Sequence, residues 1–304
     1  MSQFKDNQGR LRPMWGFALS LVLSALAFFI SGNIAHEAGD NRPFRIEFIF
    51  RCLWSFLLFA IFVWMLTVGD HVEEHRIAAQ GLPRTRGWLK HFVLGCLIGG
   101  GLTVVGIAPL YFAGRFRFID LMSLRLLPNL AAVLLMLLIG ALAEELVFRG
   151  YPFQQLERGV GALPAVLIFS VFYGAAHFIN PNASLWAAAN STLMGVLLSI
   201  AYLRSRALWL PWGIHFGWNT ALGFGFGLQV SGYRVFNLWL YTDAFGPKWL
   251  TGGNYGIEAA ATGTLAFLVG ILLIWKLPFR PLAQTQRPAS PEAAVHDTVS
   301  SIQA

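Results

Sequence analysis

Glu144, Glu145 and Arg149 lie in the stretch ALAEELVFRG (Ala141–Gly150), which is otherwise apolar enough to sit inside a lipid bilayer. A charged side chain at the centre of a membrane helix costs about 2.5–3.5 kcal/mol on the insertion scale, so such groups turn toward a bundle interior and act there. Four residues apart on a helix, Glu145 and Arg149 share a face and neutralise each other, whereas Glu144 is rotated about 100° away and points elsewhere. Two more polar clusters follow within apolar sequence, His177 in FYGAAHF and His215 with Asn219 in HFGWN. Taken singly, each has a bland explanation: an ion-pair staple between helices, a packing histidine bonded to a carbonyl, and hydrogen-bonding glue between membrane helices. None of these explains Glu144, a second carboxylate with no partner in its own helix.

Taken together, the groups suit hydrolysis of a peptide bond in or at the edge of the membrane. Glu144, a carboxylate in low-dielectric surroundings, is placed to act as general base toward water. His177 would orient or co-activate that water, while His215 and Asn219 would donate to the oxyanion formed when it attacks an amide. There is no serine nucleophile elbow and no cysteine with a base nearby, so water is the natural attacker. The set Glu144, His177 and His215 could instead hold zinc, since two histidines and a glutamate form a catalytic zinc set. The metal-independent route is preferred, with no cofactor, because base, water positioner and oxyanion donors are then all supplied by protein groups. A further pattern, HVEEH at residues 71–75, matches H-x-x-E-H of a zinc peptidase class. That class embeds it in a large soluble domain, so here it reads as a solvated juxtamembrane helix.

The elements that must position these residues are membrane helices. Of the 304 residues 56% are hydrophobic and 12% charged, and the mean hydropathy is +0.58. Apolar runs near the roughly 20 residues of a span occur at about 14–36, 52–69, 91–113, 128–150, 163–180, 184–203, 207–229 and 257–278. The expected fold is therefore all-α, a polytopic bundle of about eight transmembrane helices. The first run is long for a signal peptide and lacks a small-residue cleavage site, so it is expected to stay as a helix. Glu144 and Glu145 are the acidic residues deep in these runs. The turn ERGVGA between the fourth and fifth runs would set Glu144 and His177 at similar depth on antiparallel helices.

The net charge of +7 is spread along the connections, which argues for membrane topology and against a nucleic-acid partner. With the N-terminus inside, lysines and arginines divide thirteen to eight in favour of the inner segments, Arg149 aside, which places both termini in the cytoplasm. The expected organisation is a cytoplasmic segment 1–13, a transmembrane domain 14–278 with its polar core at about 128–229, and a disordered cytoplasmic tail 279–304. Loop 230–256 carries Trp239, Tyr241, Trp249 and Tyr255, read as an interfacial anchor, with an outer lid as the second reading. Cys52 and Cys96 form no CxxC pair, so neither a disulfide framework nor a cysteine metal site is expected.

At these residues the chain resembles a known family. EELVFR (Glu144–Arg149) is similar to the Glu-Glu-x-x-x-Arg motif of the CPBP intramembrane proteases, which include type II CAAX prenyl endopeptidases and bacteriocin-processing or immunity relatives. YGAAH (Tyr173–His177) is similar to the second motif, with Tyr173 where phenylalanine is usual, and HFGWN (His215–Asn219) to the third. The resemblance covers about residues 130–225. It implies an eight-helix bundle with a conical cavity open to the cytosol, in the plasma membrane if the source is bacterial. It implies Glu144 and His177 as the water-activating pair and His215 and Asn219 as the oxyanion site. Glu145 and Arg149 support them, and Tyr173 bears on the hydrogen bonding around His177. The expected partners are the lipid bilayer and a membrane-associated protein or peptide substrate, prenylated CAAX-type peptides being one class. A non-catalytic peptide-binding or bacteriocin-immunity protein is the alternative. A transporter fits less well, since repeated halves are not evident.

Overall fold

The computed structural model describes Trp15 and residues 80–121, 127–234, 240–279 and 281–282. The expected spans 14–36 and 52–69, the HVEEH stretch, Cys52, Trp239, segment 1–13 and nearly all of the 279–304 tail lie outside the described residues. Seven helices of ten or more residues are described: α1 (Trp88–Phe112), α2 (Leu127–Arg149), α3 (Tyr151–Val160), α4 (Ala162–Ala176), α5 (Leu185–Ser205), α6 (Trp209–Thr220) and α7 (Ala261–Lys276). Among the described residues three helical stretches are long and apolar enough to cross a membrane: Trp88–Phe112, Ala162–Ile179 and Leu185–Ser205. Leu97, Leu163, Val171, Leu272 and Trp275 point outward from the bundle, as expected of faces that meet lipid, whose tails are as apolar as leucine.

α6, which carries His215 and Asn219, is gripped by α1, α2 and α5. Two GxxxG pairs form the tightest seam, Gly95 and Gly99 on α1 against Gly213 and Gly217 on α6. A Cβ on Gly99 would overlap the Ile214 carbonyl, and one on Gly217 would overlap the Cys96 carbonyl. Backbones approach this closely only where side chains are absent. The Trp212 indole donates to the Leu138 carbonyl at 2.9 Å, tying α6 to α2, and the Trp209 indole donates to the Pro83 carbonyl at 2.9 Å. Leu197, Leu198, Leu208, Leu210, Ile214 and Leu222 fill the core around this helix.

Between α2 and α4 the chain reverses at Gly161, whose φ of 92° is a left-handed conformation that glycine adopts without steric cost. That is the turn the ERGVGA stretch predicted, but the hairpin is not simple. Helix α2 ends at Arg149, and Pro152, at the start of α3, cannot donate the amide bond a continuous helix would need. Helix α3 buries Phe153 and Leu156, with Phe153 against Phe169 and Tyr202, and carries in its second half Glu157, which pairs with Arg206 at 2.7 Å. As a result α2 packs mainly on α6 rather than on α4. Helix α5 starts at Ser184, whose hydroxyl accepts from the Ala187 amide at 3.1 Å, a side-chain N-cap.

The all-α expectation needs one correction. Strands β1 (Phe116–Leu121) and β2 (Leu240–Ala244) form an antiparallel ribbon with Phe116 opposite Ala244 and an irregularity between Phe118 and Asp120. Arg115, Phe116, Arg117 and Phe118 alternate charged and apolar residues, the period of a strand, although the surrounding sequence reads as helix. The aromatics of the 230–256 loop also divide. Trp249 and Tyr241 are exposed, whereas Tyr255 is buried with Ala187 and Ala259, so Tyr255 is a packing residue and not part of an interfacial anchor.

Candidate active site

The last turns of α2 bring in the first polar cluster. Glu145 and Arg149 are both fully buried. The guanidinium donates to Glu145 Oε1 at 3.3 Å and to the Gly195 carbonyl of α5 at 3.1 Å, and it stands 4.6 Å from the centre of the Tyr173 ring. Glu145 also reaches α6, because its Oε1 lies 3.0 Å from His215 Nδ1. The expected support pair is thus one end of a chain Arg149–Glu145–His215 that fixes the orientation of an imidazole. Orienting a histidine through one nitrogen sets the role of the other.

Glu144 approaches the same ring from its other side, with Oε2 3.8 Å from His215 Nε2. That oxygen is buried and has no hydrogen-bond partner among the described residues. The expectation from sequence joined Glu144 to His177. In the structure the imidazole within reach of Glu144 is His215's, because α2 lies on α6. With Nδ1–H directed at Glu145, Nε2 donates to an oxyanion only when the ring is an imidazolium, and two flanking carboxylates are the natural neighbours of that cation.

Tyr173 links the remaining groups. Its ring is 2% exposed, lies beside Glu144, and sits 4.4 Å from the His177 ring and 6.3 Å from the His215 ring. His177 caps α4, and its Nδ1 lies 2.8 Å from the Tyr173 carbonyl. Since a carbonyl accepts, Nδ1 carries the proton and Nε2 is left as the ring's acceptor. His177, His215, Asn219 and Tyr173 line one small cavity together with Ser191, Met194, Trp218, Ser231, Glu258 and Phe267.

Zinc was the other use considered for Glu144, His177 and His215. Among the described residues no three His, Cys, Asp or Glu side chains converge as ligands of one ion.

Glu258, Ser231, Ser191 and Trp218 belong to the cavity but were missed in the sequence. Glu258 is the second residue of the expected 257–278 span, where a charge reads as interfacial. The signal that could have found it is that this span otherwise stays free of acids until its end.

Residues 126–221 match the family model for type II CAAX prenyl endopeptidases, Rce1-like. This segment contains all three motifs. A CAAX prenyl protease 2 from Methanococcus maripaludis is 30% identical over 115 residues, 33% of this chain and 40% of that protein. Proteins named probable low-affinity inorganic phosphate transporter, from Mycobacterium bovis and Mycobacterium tuberculosis, are each 25% identical over 175 residues, 55% of this chain and 36% of theirs. The chain therefore spans well under half the length of these curated relatives. The family match and the archaeal relative support a CPBP-family protease, in agreement with the three motifs, and with the apolar helices they support an integral membrane protein.

Proposed function

We propose that the chain is an intramembrane endopeptidase, working without a metal, that cleaves a membrane-associated peptide, prenylated CAAX-type C-termini being one substrate class. The observation that carries this reading is the bracketing of His215 by Glu144 and Glu145 beside a cavity shared with His177 and Asn219. Glu144 takes a proton from water as the water oxygen bonds to the scissile carbonyl carbon. The Asn219 amide and the His215 Nε2–H donate to the resulting oxyanion, the function of preorganised donors in acyl transfer. The proton then passes to the amide nitrogen as the C–N bond breaks, leaving a carboxylate and an amine. His177 holds the water through its Nε2, and Glu145 with Arg149 holds His215.

Transport is a second reading, favoured by the mycobacterial relatives. A phosphate site calls for free cations or amide donors. The described cavity instead presents the Glu258 carboxylate, and Arg149 is bound to Glu145.

The test compares new protein termini in membranes of cells expressing wild type or Glu144→Ala at equal level, by mass spectrometry. Termini present with wild type and lost with Glu144→Ala are expected. Matching profiles would transfer the assignment to the peptide-binding or immunity role, and phosphate uptake lost with Glu144→Ala would transfer it to transport.

A further inference from the structure

Glu258 precedes α7 in a single 3-10 turn, Ile257–Ala259, and is 8% exposed. Its carboxylate accepts from two elements at once, the Trp218 indole N–H of α6 at 2.9 Å and the Ser231 backbone N–H. Its own backbone is held in turn. The Asn190 side-chain amide of α5 donates to the carbonyls of Glu258 and Ala260, each at 2.9 Å, and Thr264 donates to Asn190 Oδ1 at 2.7 Å. A buried carboxylate is costly unless it is fully hydrogen-bonded, and this one is bonded on both oxygens.

Its location connects it to the reaction. Trp218 directly precedes Asn219, and just beyond them α6 loosens into a π-helical turn, Ala221–Gly225. The end of α6 needs an external hold to keep the Asn219 amide in place, and the Trp218–Glu258 bond is such a hold, on the wall of the same cavity as His177, His215 and Asn219. We propose that Glu258 is a positioning residue which, through Trp218, fixes the His215–Asn219 end of α6 for oxyanion stabilisation. This rests on the endopeptidase reading for its catalytic consequence, but the positioning itself can be measured without turnover.

The experiment uses the full chain in detergent with two readouts. In the first, a fluorogenic farnesylated CAAX-type peptide is offered to wild type, Glu258→Gln, Trp218→Phe and the double variant. Glu258→Gln is expected to lower kcat by about tenfold with KM nearly unchanged, since the hold acts on a donor used in the transition state. Trp218→Phe should do the same, and the double variant should lose no more than either alone. Losses that multiply, or a change confined to KM, would overturn the proposal.

In the second, nitrogen-15 NMR follows the Trp218 indole, the Asn219 side-chain amide and the His215 ring. Glu258→Gln should shift all three. Unmoved Asn219 and His215 signals would overturn the proposal even if the wild type leaves the peptide intact, a result that would count separately against the peptidase reading for that substrate class. Gln keeps one acceptor for Trp218, so it should retain more turnover and smaller shifts than Glu258→Leu. Equal effects of the two would also overturn the proposal.

Discussion

Gly99→Ala compared with Gly101→Ala isolates what the α1–α6 seam does. Both glycines lie in the interior of α1, where alanine is favoured by about 0.8–1.0 kcal/mol on helix propensity. At Gly101 a new Cβ meets nothing within 4 Å, so Gly101→Ala should be stabilising by up to that amount. At Gly99 the Cβ would stand 2.6 Å from the Trp218 amide nitrogen, roughly 1 Å inside the ordinary 3.5–4.0 Å separation of packed heavy atoms. The obstacle is backbone, and the Ile214 carbonyl lies closer still, so relief requires α1 and α6 to separate by at least that distance. Overpacking of this kind costs about 1–3 kcal/mol, which exceeds the propensity gain. The displaced segment includes Asn219, and misplacement of a reacting group by about 1 Å reduces rate on the order of 10²-fold. Thermal unfolding in detergent and cleavage of the farnesylated peptide, measured on both variants, should therefore diverge. Gly99→Ala should melt lower and turn over far more slowly, while Gly101→Ala should match or exceed wild type. Equal melting and equal turnover of the two would refute the seam as the element that positions α6.

Two further outcomes are expected. Arg149→Met leaves Glu145 buried without its guanidinium partner, which should cost about 3–5 kcal/mol; adding Glu145→Leu should restore much of the melting temperature without restoring cleavage, because His215 then lacks its Nδ1 acceptor. Tyr173→Ala should cost about 3–5 kcal/mol for loss of a buried ring, whereas Tyr173→Phe keeps the contacts with His177, His215 and Arg149 and should stay within about 1 kcal/mol of wild type; equal melting temperatures for the two variants would show that the ring does not hold the cluster together.

The chemistry-bearing residues were legible because charge in an apolar run is expensive. Glu144, Glu145, Arg149, His177, His215 and Asn219 stand out on that ground alone, and the structure brings both glutamates onto His215 and sets His215, His177 and Asn219 on one cavity. What periodicity and depth could not supply was the choice of partner helix. The turn at 161 put Glu144 and His177 at similar depth on antiparallel helices without choosing which faces meet, and the break at Gly150 and Pro152 lets α2 lie mainly on α6. The GxxxG pairs of α1 and α6 were visible as glycines but not as each other's counterpart, since their complementarity spans more than a hundred residues. Glu258 was hidden by its position at the edge of an apolar run, where exposed and buried carboxylates look alike. The β1–β2 ribbon was missed for a related reason: its two short strands are recognisable only once paired.

The break between α2 and α3 also bears on how the proposed endopeptidase would be supplied with water. Each turnover consumes one water molecule, and the middle of a bilayer holds almost none. Glu144 lies six residues before the break at Gly150, about 9 Å along the helix at 1.5 Å per residue, and the helix beyond the break carries Glu157 and Arg158 in its second half. On that reading water entering at the break would travel only about two helical turns to Glu144, and no aqueous pore across the whole membrane would be required. Ion leakage, the usual hazard of wetting a membrane protein's interior, would then be avoided, because the wet path would open to one face alone.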